Sequence, residues 1–176
     1  MSLLEKIKNL AKQNQAVNVA TRRYLHAHPE LSYQEFETSK FIQAELTKIG
    51  IPFTVIATTG VLGIIEGKNP TKRVVALRAD MDALPIIEEN KVDYISTKEG
   101  VMHACGHDVH TTILLGAAKI LWSLRDEFEG TIKLLFQPGE EKNPGGASYM
   151  IRDGALQNPT PQGIVALHVH PGLNLG

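Results

Sequence analysis

The stretch "DVHTTILLGAAKILWSLRDEFEGTIKLLFQ", residues 108–137, joins the strongest helical pattern in the chain to a strand-like apolar run. Asp108 is the predicted N-cap of this helix, and Gly130 is its predicted end. The buried stripe of the helix is predicted to consist of Ile113, Ala117, Ile120, Leu121, Leu124 and Phe128. The run "TIKLLFQ" that follows is short and rich in apolar residues, which indicates a buried strand. A helix that leads straight into a buried strand is typical of layered α/β folds.

The same alternation of helix and strand extends along the rest of the chain. An amphipathic helix is predicted from Leu3 to Leu25, before Pro29 interrupts the helical pattern, and a second is predicted from Glu35 to Ile49. Further strands are predicted for the runs "VLGIIEG", "RVVALRA" and "GIVALHV". Strands separated by helices predict an α/β fold with three αβα layers around a mostly parallel central sheet.

Composition narrows the class of protein. A chain of 176 residues with 43% hydrophobic residues is long enough for one domain with a hydrophobic core. Its formal net charge of -1 gives no field that would attract nucleic acid or an anionic membrane. The single cysteine excludes an internal disulfide framework, and no stretch approaches the roughly 20 apolar residues of a membrane span. We therefore expect a cytoplasmic protein that binds neither nucleic acid nor membranes.

Side chains that bind metals follow several of the predicted strands. They are Asp80, Asp82, Glu140, Glu141, His168 and His170. The only cysteine, Cys105, lies in "VMHACGHDVH", residues 101–110, immediately before the long helix. Ligands of open α/β sheets bind outside the carboxyl ends of the strands. We therefore expect these residues to converge at one edge of the sheet.

The converging residue types form one chemical set. Thiolate, imidazole and carboxylate are the usual ligands of zinc and related divalent ions. Cys105 and His107 are two residues apart, so in an extended loop they project to the same side. The N-terminus of the following helix is expected to help hold Cys105 as a thiolate. Glu140 and Glu141 are adjacent and point in different directions. One can therefore bind a metal while the other takes a proton from water, which predicts metal-assisted hydrolysis.

Each of these features also has a simpler interpretation. Cys105 alone is typical of a small buried hydrophobe, "GEEKNPGG" is typical of a solvated turn, and Asp80 with Asp82 could cap a turn. A cysteine-dependent hydrolase or redox protein is a further alternative. His26 and His28 are predicted to be loop histidines without a ligand role. The residues predicted to lie around the ligands or on the substrate side are Asp80, His103, Asp108, His110 and His170.

Six segments of the chain carry a resemblance to a known family. They are "RRYLHAHPELSYQE", "LRADMDALPI", "MHACGHDVHTTILLGAA", "LLFQPGEE", "GGASYMI" and "ALHVHPGLNLG". In this order they resemble the amidohydrolase branch of the aminoacylase and carboxypeptidase-type dinuclear metallohydrolases. This branch includes hippurate hydrolase, N-acyl-L-amino-acid amidohydrolases, auxin-conjugate hydrolases and N-acetyldiaminopimelate deacetylase. The resemblance covers nearly the whole chain.

The resemblance implies a site for two divalent metal ions. The metal ligands that it implies are Cys105, His107, Glu141 and His168. Glu140 is implied as the general base, and Asp82 as the catalytic aspartate that orients a ligand. Asp80 occupies the position where relatives carry a histidine. The ligand types favour zinc, while manganese, cobalt or nickel are alternatives.

The resemblance also implies an arrangement of domains. Family members are longer than this chain, because a ferredoxin-like lid and dimerisation domain interrupts their catalytic domain and the C-terminal part of the catalytic domain follows it. Residues 1–176 are thus expected to be the N-terminal portion of a zinc-peptidase-like catalytic domain. The complete protein is expected to be a homodimer that hydrolyses the amide bond of N-acyl amino acids. An inert metal-binding fragment that self-associates, and a dipeptidase or N-acetyldiaminopimelate deacetylase, are the alternatives.

Overall fold

A single mixed sheet organises the computed structural model, which describes residues 1–173. Its strands are β1 (Phe53–Ile56), β2 (Gly60–Glu66), β3 (Val74–Asp80), β4 (Thr131–Gln137) and β5 (Ile164–Ala166). Across the sheet they follow the order β1-β2-β4-β3-β5. Strand β3 runs parallel to β4 and β5, whereas β2 runs antiparallel to both β1 and β4. The predicted α/β fold is confirmed, and its parallel part carries the strand ends discussed above.

Four helices surround this sheet among the described residues. They are α1 (Leu3–Ala27), α2 (Phe36–Ile49), α3 (His107–Ser123) and α4 (Gly146–Arg152), with a 3-10 turn at Arg125–Glu127. The prediction of Asp108 as an N-cap is wrong, because α3 begins at His107 after the left-handed residue Gly106. The predicted end at Gly130 is also wrong, since α3 stops at Ser123. Within residues 1–173, none of the helices combines the length and hydropathy that a membrane span requires.

The helices form layers on both faces of the sheet. Alternate residues of a strand point to opposite faces, and β4 shows this directly. Ile132, Leu134 and Phe136 belong to a core cluster with residues of α2 and α3. Leu135 belongs to a second cluster with Met150 of α4 on the other face. This arrangement leaves the carboxyl ends of β3, β4 and β5 as an edge between the two layers.

Candidate metal centre

The predicted ligand residues meet at the carboxyl ends of the parallel strands. Asp80 ends β3, and the turn with Glu140 and Glu141 follows β4. His168 follows β5, and His107 is the first residue of α3. Potential ligand atoms of Cys105, His107 and His168 lie within 4.8 Å of one another, and so do those of His107, Glu140 and Glu141. His107 is common to both groups, so the two sets form one cluster.

His107 has the geometry of a metal ligand, because one ring nitrogen is oriented by Asp82 and the other, Nε2, is unpaired among the described residues. Its Nδ1 lies 3.2 Å from Asp82 Oδ1, while its Nε2 lies 3.7 Å from both Asp80 Oδ2 and Glu141 Oε1. Nε2 is buried and has no hydrogen-bond partner among the described residues. Buried polar atoms are almost always paired, so an orphaned nitrogen facing carboxylates and a thiol fits a bound cation.

Asp82 connects the loops that carry the candidate ligands. Besides His107, it accepts hydrogen bonds at Oδ2 from Ser32 Oγ at 2.6 Å and from the Glu141 amide at 3.0 Å. Burial alone would raise the pKa of Asp82, but the hydrogen bonds from His107, Ser32 and the Glu141 amide outweigh it and lower the pKa to about 2. Asp82 is therefore an anion that fixes the orientation of the His107 ring.

The electrostatics around Cys105 differ from the sequence-based expectation. Its Sγ lies 3.3 Å from His168 Nε2. Burial, followed by the nearby carboxylates of Glu141, Asp80 and Glu140, raises the pKa of Cys105 to about 12. In the protein without metal, the helix N-terminus therefore does not offset the effect of burial and of the carboxylates on Cys105. This excess of negative groups favours a metal cation, because a cation supplies the positive charge that stabilises a thiolate.

His110 and Asp80 form a link beneath the cluster. His110 Nδ1 lies 2.6 Å from Asp80 Oδ1, and the Val169 amide donates to His110 Nε2 at 3.0 Å. The amide donor requires an unprotonated Nε2, so Nδ1 carries the proton that Asp80 accepts. Arg78 donates to the other oxygen of Asp80 at 2.7 Å. His110 therefore anchors the segment after β5, next to His168, against the end of β3.

Asp108 and His26 form a buried pair beside the cluster. His26 belongs to α1 and is buried, so its prediction as a loop histidine is wrong. Its Nδ1 lies 2.6 Å from Asp108 Oδ2, and its Nε2 lies 2.9 Å from Glu88 Oε1. Arg22 Nε approaches the same oxygen of Asp108 at 3.0 Å. The residue after ligand candidate His107 thus ties the start of α3 to the end of α1.

The stability that His26 contributes is expected to decrease as pH rises. The hydrogen bond to Asp108 and, after the opposing effect of burial, that to Glu88 raise the pKa of His26. A pKa above its unfolded value gives a contribution that is complete below about pH 6.5 and is lost as pH rises through the folded pKa. The difference in free energy of unfolding between the wild type and His26→Gln, measured in urea, should therefore be smaller at alkaline pH than below about pH 6.5. A difference independent of pH would contradict a protonated His26.

The remaining three histidines differ in environment. His103 is buried, its ring nitrogens have no hydrogen-bond partner among the described residues, and burial lowers its pKa to about 4. His170 is exposed, and its Nδ1 accepts a hydrogen bond from the Gly172 amide at 3.2 Å. His28 is exposed and stacks on Tyr24. None of these three belongs to the ligand groups found among residues 1–173.

Gly106 allows the loop before α3 to approach the segment after β5. Its φ is +86°, and an added Cβ would lie 2.3 Å from Val169 Cγ2. We expect Gly106→Ala to lower the free energy of unfolding by at least about 1–3 kcal/mol, the usual cost of strained backbone. Gly100→Ala is the matched control, because Gly100 has a φ of +74° and its Cβ would meet nothing within 4 Å among the described residues. If denaturant unfolding shows that the two variants lose the same free energy of unfolding, the steric argument is contradicted.

Sequence reasoning missed Ser32 as a part of this site. Ser32 is buried and donates to Asp82, although 50 residues separate the two along the chain. The segment "HAHPELSYQE" was informative only as a resemblance and as an interruption of the helical pattern. Its polar residues directly after Pro29 were the available signal.

Comparisons with known proteins agree with this fold. The sequence profile of Peptidase family M20/M25/M40 matches residues 76–176. The N-acyl-L-amino acid amidohydrolase of Geobacillus stearothermophilus is 49% identical over 153 residues, covering 86% of this chain and 41% of that protein. The IAA-amino acid hydrolase ILR1-like 4 of Arabidopsis thaliana is 47% identical over 175 residues, covering 97% of this chain and 38% of that protein.

A solved structure shows the same architecture. It is the crystal structure of the YXEP protein of Bacillus subtilis, a dinuclear metal binding peptidase from the M20 family. The TM-score is 0.84 at 39% sequence identity, covering 94% of this chain and 45% of that one. This chain spans about two fifths of the length of the curated relatives that it matches. From the profile match, the sequence identities and the shared fold, the chain belongs to Peptidase family M20/M25/M40.

Proposed function

We propose that the complete protein hydrolyses the amide bond of N-acyl amino acids. The observation that carries this proposal is the cluster around the orphaned Nε2 of His107, where a thiol, a second imidazole and two adjacent glutamates converge. The similar proteins named as an N-acyl-L-amino acid amidohydrolase and an IAA-amino acid hydrolase support this choice of substrate class.

Each residue of the cluster has a distinct proposed role. Cys105, His107, Glu141 and His168 would hold two divalent ions, which when bound supply Lewis-acid stabilisation of negative charge on the substrate carbonyl. Glu140 takes a proton from the attacking water and returns it to the leaving amine. Asp82 keeps the ring of His107 in place through Nδ1.

The nature of the metal follows from the donor set. Thiolate, imidazole and carboxylate donors together suit zinc, and manganese, cobalt and nickel are the alternatives. The similar protein from Bacillus subtilis, named as a dinuclear metal binding peptidase, supports a pair of ions. Elemental analysis of protein purified without added metal identifies the native ion.

The domain arrangement is also part of the proposal. Residues 1–176 are the N-terminal portion of a catalytic domain. A lid and dimerisation domain and the C-terminal part of the catalytic domain complete a homodimeric enzyme. A cytoplasmic location and the absence of nucleic-acid or membrane partners stay predictions. We propose that the isolated 176-residue chain binds metal without turning over substrate.

The test is release of free amino acid by the complete protein from a panel of substrates. N-acetyl and N-benzoyl amino acids should be hydrolysed, and a chelator should abolish the activity until a divalent metal is restored. Dipeptides and N-acetyldiaminopimelate in the same panel decide between the related activities. Hydrolysis that persists after complete metal removal, or that is confined to dipeptides, would contradict the proposal.

A further inference from the structure

The loop between α1 and α2 contacts both of the loops that carry the candidate catalytic residues. We name residues 30–35 of this loop the brace segment. On the side of β3, the carbonyl oxygen of Glu30 accepts a hydrogen bond from the Ala83 amide at 2.7 Å. Ser32 Oγ donates to Asp82 Oδ2 at 2.6 Å. The brace segment is therefore bound to the loop after β3 at two consecutive positions.

The same segment holds the loop after β4 from both ends. Glu35 Oε1 accepts a hydrogen bond from the Gly139 amide at 2.7 Å, directly before Glu140. Tyr33 Oη donates to the carbonyl oxygen of Lys142 at 2.7 Å, directly after Glu141. It also accepts a hydrogen bond from the Gly145 amide at 3.1 Å. The two adjacent glutamates thus lie between two points of attachment to one segment.

Burying the carboxyl group of Glu35 costs free energy of folding, which argues that this side chain has a specific role. Glu35 is 0% exposed, and no basic side chain among the described residues lies within ion-pair distance of its carboxyl group. Burying a carboxylate without a cation is unfavourable unless hydrogen bonds compensate. Here Thr59 Oγ1 donates to Oε2 at 2.8 Å and the Gly139 amide donates to Oε1. These two hydrogen bonds compensate part of the cost of burial, and one of them attaches the Gly139 amide to Glu35.

The contact between the brace segment and the β4 loop is also unusually close. Tyr33 has a φ of +65°, which is uncommon for a residue with a large side chain. A Cβ added at Gly139 would lie 2.2 Å from the Tyr33 ring. Backbone strain of this kind persists only where the surrounding contacts enforce it. The strained turn places the ring of Tyr33 against the backbone that leads to Glu140.

We propose that Glu35 is a positioning residue that fixes the Gly139–Lys142 loop relative to Asp82. Its carboxylate holds the backbone on which Glu140 and Glu141 stand, while Ser32 of the same segment holds Asp82. The relative placement of general base, metal ligand and orienting aspartate is thereby set by one short loop. This inference rests on the proposed function for the roles of Glu140 and Glu141, but not for the contacts themselves.

The experiment compares variants that detach the Gly139 amide with variants that do not. Glu35→Ala removes both hydrogen bonds. Glu35→Gln can keep both, since its carbonyl accepts from Gly139 and its amide nitrogen donates to the Thr59 hydroxyl, which is also an acceptor. Thr59→Val removes only the bond to the other oxygen. Glu37→Gln, at an exposed carboxylate two residues along, is the matched surface control.

Two readouts are taken on the 176-residue chain. The first is hydrogen exchange of the Gly139 amide by NMR, and the second is zinc affinity by competition with a chromophoric chelator. Glu35→Ala should expose the Gly139 amide to exchange and weaken zinc binding by about 10- to 100-fold, the usual loss when the support of a ligand is removed. Glu35→Gln, Thr59→Val and Glu37→Gln should keep Gly139 protected and stay within about threefold of wild type in zinc affinity. Thr59→Val should still lower the melting temperature.

The inference is overturned if folded Glu35→Ala keeps both Gly139 protection and zinc affinity, or if Thr59→Val loses zinc affinity to the same extent. Should Glu35→Ala not fold, Tyr33→Phe gives the same test from the other end of the loop. It removes the bonds to Lys142 and Gly145, and unchanged zinc affinity in this variant would then contradict the proposal. A complete protein without amidohydrolase activity would contradict the proposed function alone, because neither readout depends on turnover.

Discussion

Replacing Glu140 with glutamine is expected to lower kcat of the complete protein by about 100- to 10,000-fold, the usual contribution of a positioned general base. Glutamine has nearly the same shape as glutamate but cannot take a proton from water. Glu140 and His107 have potential ligand atoms within 4.8 Å, which places the carboxylate beside the cluster. Metal content should stay at the wild-type value, because Glu140 is proposed as a base and not as a ligand.

The neighbouring residue provides the sharpest comparison. Glu141→Gln should lose metal as well as activity, whereas Glu140→Gln should lose activity only. Glu99→Gln, at an exposed position in another loop, controls for the removal of one surface charge. kcat and KM on an N-acetyl amino acid are measured beside elemental analysis. Retained turnover in Glu140→Gln would contradict its role as base, and lost metal would show that the two glutamates have been assigned in the wrong order.

The second large effect is expected from His107→Gln, which should weaken metal binding by about 100-fold or more. His107 belongs to every ligand group found among residues 1–173, and residues that only orient ligands already contribute about 10- to 100-fold. The variant also removes the partner of Asp82 Oδ1. Metal per chain is measured by elemental analysis after purification without added metal. His28→Gln, at an exposed histidine, should keep the wild-type metal content.

Cys105→Ser extends this test to the alternative of a cysteine nucleophile. A cysteine that binds metal should lose metal when replaced, because the hydroxyl of serine is a much weaker ligand than a thiolate. A cysteine nucleophile would instead lose activity at unchanged metal content. The raised pKa of Cys105 argues against a free reactive thiolate. Unchanged metal content in Cys105→Ser would therefore favour the alternative and contradict the ligand assignment.

Those parts of the structure that depend on local pattern were predictable from the sequence. The strands at Val74–Asp80 and Thr131–Gln137 coincide closely with apolar runs, and polar residues follow each of them. Because β3, β4 and β5 run parallel, their ends bring these residues to one edge as expected. The helix α2 ends at Ile49 as predicted, since Gly50 adopts the left-handed conformation with φ +93°.

The parts that depend on distant contacts were not predictable in this way. His26 can be buried because Asp108 and Glu88, far along the chain, accept hydrogen bonds from its two ring nitrogens. Lys133 lies in the middle of an apolar run, yet it is fully buried because its Nζ donates to the carbonyl oxygens of Gln157 and Pro159. The short strand β1 pairs antiparallel with β2 across a tight turn, and four residues carry too little pattern to reveal it. The fold determines each of these contacts, and local sequence does not.

The position of β5 links the state of the metal centre to the integrity of the sheet. Among the described residues β5 pairs only with β3, its three side chains are exposed, and it lies at the edge. A strand held on one side belongs to the part of a protein that opens first. The chain leaves β5 directly toward His168, whose Nε2 faces the Cys105 sulfur. A metal bound by Cys105 and His168 would connect the edge strand β5 to the loop before α3. In this 176-residue chain, the metal centre would thus hold together a strand and a loop that the backbone hydrogen bonds of the sheet do not connect.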